Sequence, residues 1–473
     1  MTPVTTTRTT TSRSRTDVAP ALAILALGAF VLGVSCKSKS APASASEPAP
    51  VVSTVASAAA SPSVAWVEND YAAALARARA EKKLLFVDAW ATWCHTCRAM
   101  RAFVLTPETL PRDGFVFLAV DTERPETAAA CAKLPLTVLP TFFVVDPRDE
   151  RIVARWEGGA SSTQLRAFFD DAAAVAATDA GALEPYRVAL RDADRAEAEG
   201  RHADAAARYD EALAKAPADW ARRPDVLVLR IGALARAKDH AACVDLARKE
   251  HVRTGRSSSA TDFATIALDC EDKSGGRDAT LESAIEAHIA PLTTDESAPL
   301  SADDRSDAYR LVWELRERAG DPAGAKRVAA DRLAMLERAA AKVGDPEIAS
   351  AFDGARLETL LYLDRPADAV TLFVQREKEL PTDYNGSYRL AKALLAADRA
   401  NDALAAVDRA LANAYGARKG QILGFRADVL LKLGRAAEAK AAVAAQLATY
   451  QGLPEGQRHP ALEKATADRL AKM

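Results

Sequence analysis

Residues 87–100, VDAWATWCHTCRAM, decide the fold of the first folded part of this chain. The run LLFVDAW at residues 84–90 is short and apolar, which is typical of a buried β-strand. The stretch CHTCRAMRAFVL at residues 94–105 then predicts a helix that begins at the two cysteines. This arrangement suits thiol–disulfide exchange, because helix N–H groups would stabilise a thiolate on Cys94 and Cys97 is close enough to form a disulfide.

The residues around this stretch predict a small α/β domain over residues 66–175, in which helical periodicity alternates with short apolar runs. The expected helices lie at residues 70–83, 94–105, 126–134 and 161–175, and the expected strands at 84–90, 115–121, 141–146 and 151–158. The turn-forming stretch PRDE separates the last two strands, so they are predicted to form a hairpin.

Residues 180–473 are predicted to form an all-α helical repeat domain, because strand signals disappear there. A motif recurs in which a turn residue is followed, five positions later, by a small residue. Its copies begin at Gly200, Lys238, Gly320, Asp364, Asp398 and Gly434, with a degenerate copy at Gly276. Successive copies are 34 to 44 residues apart, which resembles the period of tetratricopeptide (TPR) repeats, although the middle repeats are longer.

The residues that follow the motif are similar to those of TPR repeats. After Ala205 come Tyr209 at offset 4 and Pro217 at offset 12, and Ala369 is followed by Phe373 at offset 4. In such repeats the small residue lets two helices approach, the aromatic residue fills the groove between repeats and the proline ends the second helix. The resemblance implies a solenoid that binds a partner protein.

The N-terminus resembles a bacterial lipoprotein signal over residues 1–35. Residues 21–34 are 14 uncharged residues, too few for a membrane-spanning helix of about 20. Cys36 follows as the candidate lipid-modified residue, although Gly33 stands where such signals usually have Leu. Cleavage near ASASE and an uncleaved anchor helix are the alternatives. Residues 36–65 are a low-complexity linker, and every alternative places the rest of the chain outside the cytoplasm.

Two segments of the α/β domain resemble the thioredoxin family. FVDAWATWCHTC, residues 86–97, looks like the active-site segment, and it is most similar to secreted thioredoxin-like domains such as the C-terminal domain of the interchange protein DsbD. VLPTFFVVD, residues 138–146, resembles the segment that holds the cis-proline of that family. The resemblance covers less than a quarter of the chain and implies a thioredoxin-like fold for residues 66–175.

The resemblance also implies roles for four residues. Cys94 matches the attacking cysteine and Cys97 the resolving cysteine. Pro140 matches the cis-proline, whose neighbouring backbone pairs with an extended substrate strand. Asp88 matches the buried acid beneath the cysteine pair, where a raised pKa would let it accept the proton of Cys97. The alternative for Asp88 is a polar strand end without a chemical role.

A zinc site and plain packing are the other interpretations of the cysteine pair. Zinc would need two further ligands, usually another pair of Cys or His residues. The other cysteines are isolated in the sequence: Cys36, Cys131, Cys243 and Cys270. No metal and no cofactor is therefore predicted. Cys131 is expected to be a buried thiol. Cys243 and Cys270 lie in neighbouring predicted helices, and packing is favoured over a disulfide between them.

His95 and Thr96 stand where thioredoxin itself has Gly and Pro. A cationic or hydrogen-bonding imidazole beside Cys94 would favour the thiolate and so stabilise the reduced form. The sequence therefore predicts a domain more oxidising than thioredoxin. A solvated His95 with little effect on the cysteines is the alternative.

Two functions follow from these features. The first is an extracytoplasmic thiol–disulfide oxidoreductase of the protein-disulfide reductase type, which acts on disulfide-bearing proteins, takes electrons from another protein and is held at the periplasmic side of the cell envelope by an N-terminal lipid. The second is a TPR-like binding lipoprotein with a minor or inactive thioredoxin-like domain. A formal net charge of −3 argues against a nucleic-acid partner.

Overall fold

The computed structural model of the chain describes residues 64–178 and 181–473. The predictions for the signal at residues 1–35, for Cys36 and for the linker up to residue 63 lie outside the described residues. Within the described ranges, no helix is both long enough and apolar enough to cross a bilayer.

The first domain is built on a five-stranded mixed sheet. Its strands are β1 Trp66–Glu68, β2 Leu84–Trp90, β3 Phe115–Asp121, β4 Thr141–Asp146 and β5 Arg151–Glu157. The strand order is β1-β3-β2-β4-β5; β3 pairs in parallel with β1 and β2, whereas β4 pairs antiparallel with β2 and β5. The predicted α/β domain with a closing hairpin is confirmed. The strand β1 was not predicted, because three residues carry no periodic signal.

Four α-helices accompany the sheet: α1 Tyr71–Glu81, α2 His95–Ala99, α3 Ala128–Cys131 and α4 Ser162–Ala177. The predicted helix after the cysteines is interrupted, because α2 continues as a π-helical turn, Met100–Val104. Strand β2 lies at the centre of the sheet, where both faces of a strand are covered, and this position accounts for its continuous apolar sequence. The two cysteines follow shortly after the carboxyl end of β2.

The TPR-like helical array predicted to follow this domain is confirmed. Its helices are α5 Pro185–Ala198, α6 His202–Lys215, α7 Arg223–Arg236, α8 His240–Glu250, α9 Ser258–Ser274, α10 Ala279–Thr294, α11 Ala302–Arg318, α12 Pro322–Val343, α13 Pro346–Ala349, α14 Asp353–Tyr362, α15 Pro366–Glu379, α16 Tyr384–Ala396, α17 Ala400–Asn413, α18 Gly416–Lys432, α19 Ala436–Gln451 and α20 Pro460–Ala471. Most of them pack as successive hairpins, such as α5 on α6 and α18 on α19.

The recurring motif sets the geometry of the hairpins. Each of its six turn residues has a left-handed backbone, with φ between 57° and 79°. The following N–H closes the turn, as where Arg201 donates to the carbonyl of Ala196 at 2.9 Å. The small residue five positions after each turn is 0% exposed in all six copies: Ala205, Cys243, Ala325, Ala369, Ala403 and Ala439. The motif therefore specifies a helix stop and a point of close helix contact.

A buried ionic network joins the helical array to the sheet. Arg155 on β5 is 1% exposed and binds Glu157 at 2.9 Å, and its second Nη donates to the hydroxyl of Tyr209 on α6 at 3.1 Å. Arg222 at the start of α7 binds Asp171 on α4 at 3.2 Å. Because buried charges are stable only when they are paired, this network holds the array in one position against the α/β domain. Tyr209, which was expected only to fill a groove between repeats, takes part in that contact.

Candidate functional site

Cys94 and Cys97 lie where β2 passes into α2, and their sulfurs are bonded at 2.04 Å. Cys94 is the N-cap of α2, and its Sγ accepts the backbone N–H of Cys97 at 3.1 Å. An N–H that points at the sulfur stabilises negative charge on it, so the thiolate of Cys94 is favoured when the bond is reduced. The pair can therefore cycle between a disulfide and a dithiol.

The segment before β4 packs against the pair. The peptide bond between Leu139 and Pro140 is cis. Leu139 joins Trp90 and Trp93 in the apolar cluster that surrounds the sulfurs. Within the described residues, the backbone N–H and C=O of Leu139 make no hydrogen bond, so both are available to an extended chain laid beside the cysteines.

Asp88 lies on β2, six positions before Cys94, and is 1% exposed. Its Oδ2 has no hydrogen-bond partner in the described part of the chain. Burial raises the pKa of Asp88 to about 7, and the nearby charge of Arg101 opposes that rise. A carboxyl group with a pKa near neutrality can accept or release a proton at ordinary pH, as a proton acceptor for a thiol must.

His95 is held by the helical array. Its Nδ1 lies 3.0 Å from Oδ1 of Asp303, a residue of α11 whose side chain is 2% exposed. The carboxylate raises the pKa of His95 to about 9, so the ring is an imidazolium at neutral pH. The His95 side chain is 41% exposed, yet its ring has a partner that the alternative did not include, an acid 208 residues along the chain. No signal in the sequence pointed to Asp303.

We expect the substitution Asp303→Asn to lower the reduction potential of the cysteine pair at pH 7.5. Without the carboxylate, the pKa of His95 falls back toward about 6.5 and the ring loses the charge that favours the Cys94 thiolate. A tenfold change in the thiol–disulfide equilibrium corresponds to about 30 mV, which is the size of shift expected. Equilibration with glutathione buffers and trapping of the thiols measures the potential. The difference should fade below about pH 6, where His95 is charged in both proteins.

The control for this experiment is the His95→Gln background, in which Asp303→Asn should have no further effect on the potential. A lower potential in that background as well would show that Asp303 acts independently of His95. The wild-type potential should lie above about −270 mV, the value of thioredoxin. A value at or below it would contradict the expectation of a more oxidising domain.

The start of helix α16 contacts the residues on both sides of the cysteine pair, Thr92 before Cys94 and Arg98 after Cys97. The hydroxyl of Tyr384 lies 2.7 Å from Oγ1 of Thr92, and Nδ2 of Asn385 donates to the Thr92 carbonyl at 3.2 Å. Arg98 binds Asp383 at 2.9 Å. These contacts join residues that are nearly 300 positions apart, and none of them was predicted from the sequence.

Helix α18 makes a second set of contacts. Nε1 of Trp93 donates to Glu123 at 2.9 Å, and the backbone N–H of Arg418 donates to the same carboxylate at 2.7 Å. The hydroxyl of Tyr415 donates to Asp121 at 2.6 Å. The helical array therefore lines one side of the site around the cysteine pair.

The covering helices leave Cys94 only 5% exposed and Cys97 1% exposed. A cleft of about 330 Å³ opens beside them. Its lining comprises Trp93, Thr122, Glu123, Cys131, Leu136, Thr137, Val138, Leu139, Ala417, Gly456, Gln457, Arg458 and His459. Because Trp93 and Leu139 also pack around the sulfurs, the cleft lies next to the cysteine pair.

The remaining described cysteines divide into one free thiol and one disulfide. Cys131 is buried and unbonded, as expected. The expectation that Cys243 and Cys270 merely pack together was wrong, because their sulfurs are bonded at 2.11 Å. Cys243 occupies the small position of its repeat, where the helices approach closely, and the Cα atoms are 6.2 Å apart. Among the described residues, no group of three or more His, Cys, Asp or Glu side chains is placed to hold a metal ion.

Comparison with known proteins gives a family for the first domain. The family described as Thioredoxin-like matches residues 65–147. No curated protein matches the chain. The TPR2AB-domain:pHSP90-complex of yeast Sti1 is 11% identical, over 61% of this chain and 96% of that chain, with a TM-score of 0.23. The APC/C hetero-tetramer Cut9-Hcn1 is 14% identical, over 64% of this chain and 62% of that chain, with a TM-score of 0.23. The domain that carries Cys94 and Cys97 is thus thioredoxin-like.

Proposed function

We propose that the protein is a thiol–disulfide oxidoreductase that reduces or exchanges disulfides in other proteins. The observation that carries this proposal is the bonded Cys94–Cys97 pair at the N-terminus of α2, beside the cis peptide at Pro140. The buried Asp88, whose pKa is raised to about 7, supplies a proton acceptor on the strand that leads to the pair. A thioredoxin-like domain with these residues in place has the groups that the exchange reaction needs.

The reaction begins with the reduced pair. The thiolate of Cys94 attacks one sulfur of the substrate disulfide; a Cys94–substrate bond forms, and the other substrate sulfur leaves as a thiolate that takes up a proton. Cys97 then gives its proton to Asp88 and attacks the sulfur of Cys94. The second substrate sulfur leaves, so the substrate gains two electrons and the protein is left with its own disulfide. A dithiol protein must return these electrons for another cycle.

We place the protein outside the cytoplasm, held at the periplasmic side of a membrane by a lipid on Cys36. The apolar run and Cys36 in the sequence support this location. The buried Cys243–Cys270 disulfide supports it independently, because such bonds persist in oxidising compartments and are rare in the cytosol.

A second candidate is a binding protein in which the thioredoxin-like domain has little catalytic activity. The observation that favours it is the low exposure of Cys94 and Cys97, which the helical array nearly encloses. The two candidates differ in one measurable property, namely whether Cys94 forms a covalent bond with a substrate.

The test is a trap for the mixed disulfide. With Cys97→Ser, the bond between Cys94 and a substrate has no resolving thiol, so it should accumulate. Incubation of the reduced variant with a disulfide-containing peptide should add the mass of one peptide chain to the protein, and the same variant in cells should capture the client. The double variant Cys94→Ser/Cys97→Ser is the control. No adduct on Cys97→Ser would favour the binding protein.

A further inference from the structure

Three basic side chains of the helical array lie beside the cysteine motif without carboxylate partners, and we call them the cationic cluster: Arg389 and Lys392 on α16 and Arg418 on α18. Arg389 is only 8% exposed. Within the described residues its guanidinium makes no hydrogen bond or ion pair, and its Nη1 is buried without a partner. Burying a cation without a partner costs free energy. A bound anion that pairs with Arg389 would lower that cost.

Among the described residues, the side chains of the other two members also form no ion pair with a carboxylate, although Nη1 of Arg418 donates to Oε1 of Gln421 at 2.5 Å. Nζ of Lys392 lies 4.6 Å from the ring centre of Tyr388, and the guanidinium carbon of Arg418 lies 5.1 Å from the same ring. Nε of Arg418 is buried without a partner. Burial and the charges of Arg418 and Arg389 lower the pKa of Lys392 to about 8, which reflects how close the three cations are.

The nearest acids do not neutralise the cluster. Asp353 is already paired with Arg376 at 2.6 Å, and Asp383 is paired with Arg98 at 2.9 Å. Glu123 accepts the backbone N–H of Arg418 at 2.7 Å, so one carboxylate stands beside three cations. The cluster therefore keeps a net positive charge in a partly dehydrated setting, where attraction for an anion is stronger than in bulk water.

The cluster reaches the residues on both sides of Cys94. The guanidinium carbon of Arg418 lies 5.4 Å from the ring centre of Trp93. On the other side, a Cβ placed on Gly354 would lie 3.8 Å from Nη2 of Arg389 and 3.9 Å from Cβ of His95. An anion bound by the cluster would thus lie near the residues that flank Cys94.

We propose that Arg389, Lys392 and Arg418 form an anion-binding site, and that it takes the carboxylate of an acidic residue close to the disulfide of a substrate protein. The assignment to a substrate rests on the proposed oxidoreductase function, whereas the binding of an anion does not. The site would select substrate segments with an acidic residue beside the disulfide over neutral ones.

The first experiment is a thermal-unfolding measurement that needs no activity, with inorganic phosphate as the probe at constant ionic strength. Phosphate should raise the Tm of the wild-type protein and leave that of Arg389→Met unchanged. Without phosphate, Arg389→Met should melt above the wild type, because the substitution removes an unpaired buried cation. Arg426→Met is the matched control: Arg426 is on α18 but is paired with Asp408, and its loss should leave the phosphate response intact.

The second experiment measures kcat/KM on two peptide disulfides that differ only in glutamate or glutamine beside the cystine. The wild-type protein should prefer the glutamate peptide about tenfold, the effect of one charge-assisted contact. Arg389→Met and Lys392→Gln should lose the preference, while Arg426→Met keeps it.

Either of two results would overturn the anion site: an equal phosphate response in the wild type and Arg389→Met, or a lower Tm for Arg389→Met without phosphate, which would show that the cation is structural. An unchanged glutamate preference in Arg389→Met would overturn the assignment to the substrate. Inactivity of the wild type on both peptides would contradict the oxidoreductase function, and the phosphate response would still decide the anion site.

Discussion

Replacing Cys94 by serine is expected to lower disulfide-reductase activity by at least about three orders of magnitude, because a hydroxyl is a far weaker nucleophile than a thiolate at neutral pH. In the proposed mechanism the reaction starts with attack by the sulfur of Cys94, and Cys97 acts only in the second step. Turnover of a model peptide disulfide by the full-length protein, with dithiothreitol as the reductant, measures the effect against the uncatalysed rate.

Cys131→Ser is the matched control for this measurement. Cys131 lines the same cleft and is the free thiol among the described residues, yet the mechanism gives it no step. Its replacement should change the activity less than about threefold, since serine is similar in size to cysteine and the Cys94–Cys97 pair is left intact. Equal activities of the wild type and Cys94→Ser would contradict the oxidoreductase function and favour the binding protein.

Removal of the Cys243–Cys270 disulfide should lower the free energy of unfolding by about 3 kcal/mol. The bond closes a loop with a sequence separation of 27 residues, and a cross-link of that length restricts the unfolded chain considerably. Both sulfurs are buried between α8 and α9, at the small position of a repeat. Urea unfolding of Cys243→Ala/Cys270→Ala, followed by circular dichroism, measures the loss as a lower midpoint.

The matched control is Cys94→Ala/Cys97→Ala, which removes a disulfide with a sequence separation of only 3. It should destabilise the protein less, because a short loop restricts the unfolded chain less. If the two double variants had equal free energies of unfolding, the Cys243–Cys270 bond would not stabilise the protein more than the Cys94–Cys97 bond does. Reduction of the wild type under native conditions should leave this bond intact and open the Cys94–Cys97 bond first, because Cys94 is 5% exposed whereas Cys243 and Cys270 are 0% exposed.

Local patterns in the sequence predicted the elements that carry the cysteine pair. The strand at residues 84–90, the cysteines after it and the closing hairpin were all predicted where they occur. The repeat motif also identified the helix hairpins, because a left-handed turn and a small residue five positions later are local requirements. The disulfide between Cys243 and Cys270 was missed, since helix order alone does not say whether two side chains face each other.

The surroundings of the cysteine pair could not be predicted in the same way. Asp303, which sets the charge of His95, and Tyr384, which binds the residue two positions before Cys94, lie 208 and 292 residues from their partners. Neither residue belongs to a motif, and in the sequence each is an ordinary polar residue near the start of a helix. Their roles depend on the course of the whole array around the α/β domain.

The sequence by itself determined where the cysteine pair lies, because a cysteine at the start of a helix needs only a strand, a turn and the first helical residues, all within a short stretch. Only the tertiary structure decided what surrounds the pair, since the cleft, the imidazolium of His95 and the cationic cluster are made by residues brought together from distant helices. Electrostatic interactions depend on distance in space, and a linear pattern of residues does not contain that distance.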